Sequence, residues 1–393
     1  MRTFALALLF AASLAAQDPG TLRIGTWNLE FLGSETPSHR NNLPPRDDGD
    51  YAKIGQKVKE LGVAVLAVQE ICGSEPLRKV AAGAGPSWKF VLGTSGGWDD
   101  GKTLQQIGFL WDSAVVDCLF AEELLQLPRQ AEGVPIFHRV PVTAAFKVKA
   151  TGFDFRATTV HLKAGQKPPD EQKRRLEATA LRAWFLQLQQ TNGEDEDRVL
   201  LGDFNSTYGS EPETIFENGA LLTYLHAKTP CPTIMHFADP IDQVVVAPGF
   251  GELRADSFTV DGDFDGLAKE AWRKTYSDHF PVTVEIVAAN DGDPNALFAH
   301  GGDEQSLPPK NRPAIAPAAP RTAEAVSPAK QDATWPPAVG VELTVYAVGN
   351  SVTTGRLAKP IPDGPGGWIV LDTGNAYRAI PFDRVEFVAL KKQ

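Results

Sequence analysis

The chain is a succession of short apolar runs, most of them strand-length and bounded by glycine, proline and polar clusters. Residues 22–28, 63–68, 108–111, 142–148, 155–162, 198–201, 241–246 and 281–286 each carry the β-branched and aliphatic side chains of a buried strand. Two stretches have helical periodicity instead. Tyr51, Ile54, Val58 and Leu61 recur on one helical face, and Leu181, Trp184 and Leu188 mark a stripe in a helix expected over residues 171–190. Many strands with interspersed helices predict an α/β (α+β) sandwich over residues 21–288.

The pattern stops near residue 289. Residues 289–334 are rich in Pro, Ala, Asp, Gly and Lys without periodicity, the composition of a flexible linker. Beyond it, residues 335–393 hold strand-like segments at 341–347, 368–371 and 385–388, punctuated by Gly366 and Gly367. They predict a small β-barrel module that resembles an SH3-like or Sm-like barrel. The start of the chain differs again. Met1-Arg2-Thr3 is a positive n-region, residues 4–14 are apolar but too short to span a bilayer, and Ser13, Ala15 and Ala16 offer small residues for cleavage. Residues 1–16 are therefore expected to be a cleaved signal peptide. The mature protein is expected to be secreted or periplasmic, with no integral membrane segment.

Composition adds limits. With 393 residues and 42% hydrophobic content, one large domain plus a smaller one is expected. The formal net charge of −11 argues against a protein that coats nucleic acid by bulk charge. It leaves a nuclease open, because a bound cation and a local patch can recruit a phosphate. The three cysteines, Cys72, Cys118 and Cys231, match no zinc spacing and allow at most one disulfide.

Candidate chemistry sits at the strand ends. One run ends on Asn28, another on Glu70 and a third on His161. In Gly202-Asp203-Phe204-Asn205, Asp203 and Asn205 share a face if extended. Ser277-Asp278-His279 precedes the last strand of the domain. A carboxylate at the end of a buried strand is unfavourable unless something neutralises it. Glu70, Asp203 and Asp278, with two carboxamides and no cysteine, suit Mg²⁺, Mn²⁺ or Ca²⁺ rather than zinc. Any one of them alone reads as a loop-capping residue. Five such strand ends in one chain read as a site.

In this order the motifs resemble those of the endonuclease/exonuclease/phosphatase superfamily, which includes DNase I-like nucleases, apurinic endonucleases, sphingomyelinases and inositol phosphatases. The resemblance implies a four-layered α/β sandwich of two packed mixed sheets flanked by helices, with the site at one rim. By motif, Asn28, Glu70 and Asp278 would hold the metal. Asp203 and Asn205 would position the nucleophile and the phosphate. His279 would be the general base or a phosphate-polarising histidine, Asp242 would orient it, and His161 would contact the phosphate from the other side. A histidine of near-neutral pKa can take the proton of water, and an aspartate behind it fixes its tautomer. Two departures stand out. Residues 103–109 carry Gln105 and Gln106 where the DNase I branch has a glutamate beside its first histidine. The Cys-Asp-Arg stretch of inositol 5-phosphatases is absent.

The leading expectation is a secreted metal-dependent phosphodiester hydrolase, a nuclease acting on DNA or RNA as a monomer. Lys163, Lys167, Lys173, Arg174 and Arg175 follow His161 and would either steer phosphate or form a solvated helix face. A sphingomyelinase-like phospholipase or a phosphomonoesterase is the alternative enzyme. An inactive binding module, with the C-terminal module gripping an unknown partner, is the alternative of another class. Asp261 to Gly266 opens like an EF-hand loop, but Trp272 stands at position twelve, so a solvated acidic loop is expected. His39, His138, His226 and His236 have no partner spacing and read as ordinary.

Overall fold

The structure is a computed structural model that describes residues 20–97, 104–191, 193–225, 231–289 and 291–292, with five strands between residues 342 and 390. The signal segment at 1–16, most of the linker at 289–334, and His226 lie outside the described residues.

The described strands fall in two compact units. The first opens with β1 (Thr21–Leu32), α1 (Asp48–Glu60), β2 (Val65–Ile71), α2 (Ser74–Ala84), β3 (Trp88–Leu92), β4 (Gln106–Asp112) and β5 (Val116–Glu123). A short hairpin, β6 (Gln130–Ala131) and β7 (Val134–Pro135), leads to β8 (Val142–Val148), β9 (Asp154–His161), α3 (Pro168–Gln190) and β10 (Arg198–Asp203). Then come α4 (Glu211–Glu217), β11 (Thr223–Tyr224), β12 (Asp242–Val246), β13 (Thr259–Val260), α5 (Lys269–Thr275) and β14 (Val282–Val287).

Two six-stranded mixed sheets result, in the orders β13-β14-β1-β2-β4-β3 and β11-β12-β10-β9-β8-β5. Their shared core holds Ile24, Ala67, Phe109, Phe146, Phe155, Leu201, Val244 and Val284, all buried. The other face of the first sheet packs on α1 and α2 through Trp27, Leu66, Val68, Ile54, Val58, Leu77 and Val80. Strand alternation produces this division: Leu22 and Ile24 join the core between the sheets, Trp27 and Leu29 the core under the helices. α1 begins with a capping box between Asp47 and Asp50, and α3 buries the predicted stripe of Leu181, Trp184 and Leu188. The expected sandwich is therefore the fold found. β1 and β2 continue past their predicted ends through register shifts between Asn28 and Leu32 and between Val68 and Ile71.

In the second unit, β15 (Glu342–Ala347), β16 (Ser351–Leu357), β17 (Trp368–Asp372), β18 (Tyr377–Pro381) and β19 (Val385–Leu390) form an antiparallel sheet, ordered β18-β17-β16-β15-β19. β16 and β18 add to the three predicted segments. Among the described residues, no helix is long and apolar enough to cross a membrane. All three cysteines are free thiols.

Candidate active site

Three strand ends of the second sheet set their side chains in one row. Asp203 on β10 lies in register with His161 on β9 and with Asp242 on β12. Each shares the inward-facing alternation of its strand: Asp203 with Leu201, His161 with Ala157 and Asp242 with Val244. Gly202 permits the close packing: its φ is +148°, and a Cβ there would meet the Val160 carbonyl oxygen at 2.1 Å. From the first sheet, Asn28 Nδ2 donates across the sandwich to Asp203 Oδ2 at 2.9 Å. One layer deeper, Gln69 Nε2 donates to Thr159 Oγ1 and Thr26 Oγ1, both at 3.0 Å, so a polar layer links the sheets.

Glu70 and Asp278 arrive by less regular routes. Strict alternation would aim Glu70 at the helices, with Leu66 and Val68. Its φ of +60° breaks that alternation. Its Oε2 accepts the Phe31 N–H at 3.1 Å, and its Oε1 lies 3.7 Å from His161 Nε2. Such non-glycine outliers cost about 1–3 kcal/mol and cluster at functional sites. The loop of Asp278 and His279 is tied to β1. Ser277 Oγ donates to the Asn28 carbonyl at 2.7 Å and accepts the His279 N–H at 3.0 Å, and Trp27 Nε1 donates to the His279 carbonyl at 3.0 Å. His279 Nδ1 then sits 2.8 Å from Asp242 Oδ2, and its Nε2 lies 3.8 Å from Asp203 Oδ2 and 4.0 Å from Asp278 Oδ1. The Asn205 N–H donates to Asp203 Oδ1 at 2.9 Å, and Asn205 Nδ2 donates to the Leu162 carbonyl at 3.1 Å.

Asn28, Glu70, His161, Asp203, Asn205, Asp242, Asp278 and His279 thus form one connected cluster. Asn28, Asp203 and Asp242 are buried at its floor. The Glu70 and Asp278 side chains keep 14% and 15% exposure at its mouth.

Charge in the cluster is out of balance. Burial, then the nearby Asp278 and Asp203 carboxylates, push Glu70 up to about 7. Burial and the adjacent Asp242 push Asp203 up to about 6. For His279, burial opposes the imidazolium, but Asp242, Asp203 and Asp278 together outweigh it and raise its pKa well above the ordinary value. The near-neutral His279 expected from the sequence is therefore corrected: three carboxylates hold it protonated. His161 goes the other way. Burial and the Arg139 guanidinium push it well below its ordinary value, so it is neutral, and its buried Nδ1 has no hydrogen-bond partner among the described residues. Asp203, Asp242 and His279 bring ligand-type atoms within 4.8 Å of one another, but Asp242 and His279 are already hydrogen-bonded to each other. Glu70 Oε1 and Asp278 Oδ1 make no hydrogen bond among the described residues. Excess negative charge and hard oxygen donors fit a divalent cation.

Several arginines around the site escaped the sequence reading. Buried Arg139 donates to the His161 and Leu162 carbonyls, both at 3.0 Å, and to Gln105 Oε1 at 2.7 Å. Gln105 therefore serves Arg139. Arg40, Arg46 and Arg273 surround Glu30, two residues beyond Asn28. Arg46 donates to the Leu29, Glu30, Thr275 and Tyr276 carbonyls and so stitches the end of β1 to the segment that carries Asp278. The basic stretch after His161 is mostly committed to local structure: Arg174 donates to the Lys163 and Gly165 carbonyls, Lys163 pairs with Asp170, and Arg175 with Glu132. In the stretch resembling an EF-hand, Asp261 and Asp265 close on Lys57 Nζ at 2.7 and 2.8 Å, so a lysine takes the place a cation would need.

A family model described as "Endonuclease/Exonuclease/phosphatase family" matches residues 25–279. A deoxyribonuclease from Thioalkalivibrio sp. (strain K90mix) is 25% identical over 210 residues, 52% of this chain and 52% of its own. The chain thus spans about half the length of the curated relative it matches. The human Nocturnin catalytic domain with bound sulfate anion aligns over 68% of this chain and 94% of that one, with a TM-score of 0.50 and 15% identity. The endonuclease/exonuclease/phosphatase from Bacteroides vulgatus aligns over 68% and 98%, with a TM-score of 0.49 and 20% identity. The likeness to the Nocturnin domain concerns the fold alone.

Proposed function

The chain belongs to the endonuclease/exonuclease/phosphatase family, and on that premise we propose that it is a secreted, divalent-metal-dependent phosphodiesterase that cleaves nucleic acid. The observation that carries this reading is the buried Asp242–His279 pair facing Asp203, with Glu70 and Asp278 at the mouth.

Asn28, Glu70 and Asp278 would hold the cation through hard oxygen atoms. When bound, the cation polarises a phosphoryl oxygen and eases attack on an anion. His279, kept protonated by Asp242, donates from Nε2 to a non-bridging phosphate oxygen and stabilises charge as it develops. Asp203, at about 6, accepts the proton of the attacking water. Asn28 Nδ2 and the Asn205 N–H each hold one of its oxygens, which fixes the carboxylate's orientation. Neutral His161 donates to the phosphate from the other side. Of the two roles the resemblance allows His279, polarisation is the one its surroundings support.

The deoxyribonuclease relative supports nucleic acid as the substrate. A membrane-bound lipid substrate calls for an apolar docking surface, and only Val115, Leu125, Phe237 and Leu267 are exposed large apolar side chains among the described residues. Export rests on Met1-Arg2-Thr3 and apolar residues 4–14. The test is a panel of DNA, RNA, sphingomyelin and a phosphomonoester with Mg²⁺ or Mn²⁺. Cleavage of DNA or RNA is expected. Turnover confined to sphingomyelin or the monoester would overturn the nucleic-acid assignment. N-terminal sequencing of exported protein that still begins at Met1 would overturn the cleaved signal.

A further inference from the structure

A second group of buried charges adjoins the site at the end of β1. Glu30 Oε1 accepts two bonds from Arg273, at 2.8 Å from Nε and 2.5 Å from Nη2. Glu30 Oε2 lies 3.4 Å from Arg40 Nε and 3.8 Å from Arg46 Nη2. Arg273, on α5, also faces the site: its Nη2 lies 3.4 Å from Asp278 Oδ2. One guanidinium therefore touches two carboxylates, Glu30 at bonding distance and Asp278 farther off.

Resting on the reading of Asp278 as a metal ligand, we propose that Glu30 and Arg273 form a counter-ion relay that keeps Asp278 available to the divalent cation. A guanidinium and a carboxylate form a strong two-pronged pair when nothing else competes. Glu30 supplies the competition. It anchors Arg273 so that the guanidinium steadies Asp278 through Oδ2 alone. Oδ1 stays turned toward His279 Nε2. Arg40 and Arg46 are anchored chiefly by main-chain acceptors, and Arg273 is the guanidinium that lies within ion-pair distance of Asp278. Arg40 donates to the Pro44, Arg273 and Lys274 carbonyls, and Arg46 to four others. Arg273 is thus a positioning residue that acts through Asp278.

The experiment is calorimetric titration of the full chain with Mn²⁺, with thermal denaturation confirming that each variant folds. Glu30→Gln is expected to weaken Mn²⁺ binding about tenfold, because the freed Arg273 closes on Asp278. Adding Arg273→Met is expected to bring the affinity back to within about threefold of wild type, a reversal that mere damage to the loop would not give. Glu30→Asp keeps the charge that Arg40 and Arg46 need and should show the same loss and recovery at smaller size, so it serves if the glutamine variant does not fold. A loss that Arg273→Met leaves unrepaired, or wild-type affinity in both Glu30 variants, would overturn the relay. Asp278→Asn tests the premise separately. Undiminished Mn²⁺ affinity there removes Asp278 as a ligand, whereas a loss there beside an unrepaired Glu30 variant removes the relay alone.

Discussion

Asn28 and Glu30 lie two residues apart on β1, yet they join opposite kinds of buried charge. Glu30 meets three guanidinium groups, and each of those is engaged further by main-chain or side-chain acceptors. Asn28 belongs to a cluster in which Glu70, Asp203, Asp242 and Asp278 gather round one imidazolium, with the Arg273 guanidinium 3.4 Å from Asp278 besides. In the first group main-chain carbonyls take up the guanidinium donors, although burial and the neighbouring Arg40 still push Arg46 down to about 9. In the second the mismatch shows as raised pKa values, about 7 for Glu70 and about 6 for Asp203. Buried charge whose hydrogen-bonding groups are met within the chain holds segments together, whereas buried carboxylate oxygens left without donors mark where a ligand can supply the balance.

The largest expected effect lies on the acidic side. Asp203→Asn removes the proposed proton acceptor and should cut turnover on a small phosphodiester by about 10³. The fold should stay intact, because a repelling charge is lost. Steady-state kinetics with circular dichroism checks this, and near-wild-type turnover would remove Asp203 from the chemistry.

Arg46→Met is the matching probe of the arginine side. It strips four carbonyls of a buried charged donor while Glu30 keeps Arg273 and Arg40, so urea denaturation should show a loss of about 3–5 kcal/mol. A loss below about 1 kcal/mol would mean that the arginine cluster is not what joins β1 to the segment before β14.

A smaller effect separates the two regions by pH. Glu70 titrates at about 7 in the fold against 4.5 ordinarily, and Asp203 at about 6 against 3.8. A raised carboxylate favours the folded state while it is protonated, and that stability is lost as pH climbs through the folded pKa. The contribution of these two groups to the Tm of the metal-free protein should therefore fall between about pH 4 and about pH 7. Glu70→Gln should reduce that fall by about 2–4 °C, and Mn²⁺ at the higher pH should offset it in the wild type more than in the variant. Scanning calorimetry reads all three. A fall of equal size in Glu70→Gln would place the imbalance elsewhere.

Most of the acidic side was legible in the sequence because Asn28, Glu70, His161 and Asp203 close buried runs and Asp278 and His279 precede one, while Asp242, at the start of its strand, came from the resemblance. A polar residue after five apolar ones is conspicuous, and strand alternation then brings His161, Asp203 and Asp242 into one row. The arginine side was not legible. Its members come from segments without periodicity, 230 residues apart in the case of Arg46 and Tyr276, and an arginine in a polar stretch reads as surface. α2 was missed for a different reason. Its buried face of Leu77, Val80, Ala81 and Ala84 is short and alanine-rich, and Gly73 offers no side-chain cap. β3 and β5 are edge strands whose half-buried side chains blur the alternation. The protonation of His279 was beyond reach, since it depends on how register and the Ser277 tie bring Asp203, Asp242 and Asp278 around one ring.

The most direct test of the central claim is hydrolysis of bis-nitrophenyl phosphate by the purified chain, before and after chelation, for wild type and Glu70→Gln. Glu70→Gln keeps the shape of the side chain and removes the charge that would hold the cation. EDTA is expected to abolish wild-type turnover and Mg²⁺ or Mn²⁺ to restore it, whereas Glu70→Gln should need about tenfold more metal for half-restoration. Full turnover in excess chelator, or an unchanged metal requirement in Glu70→Gln, would contradict the account.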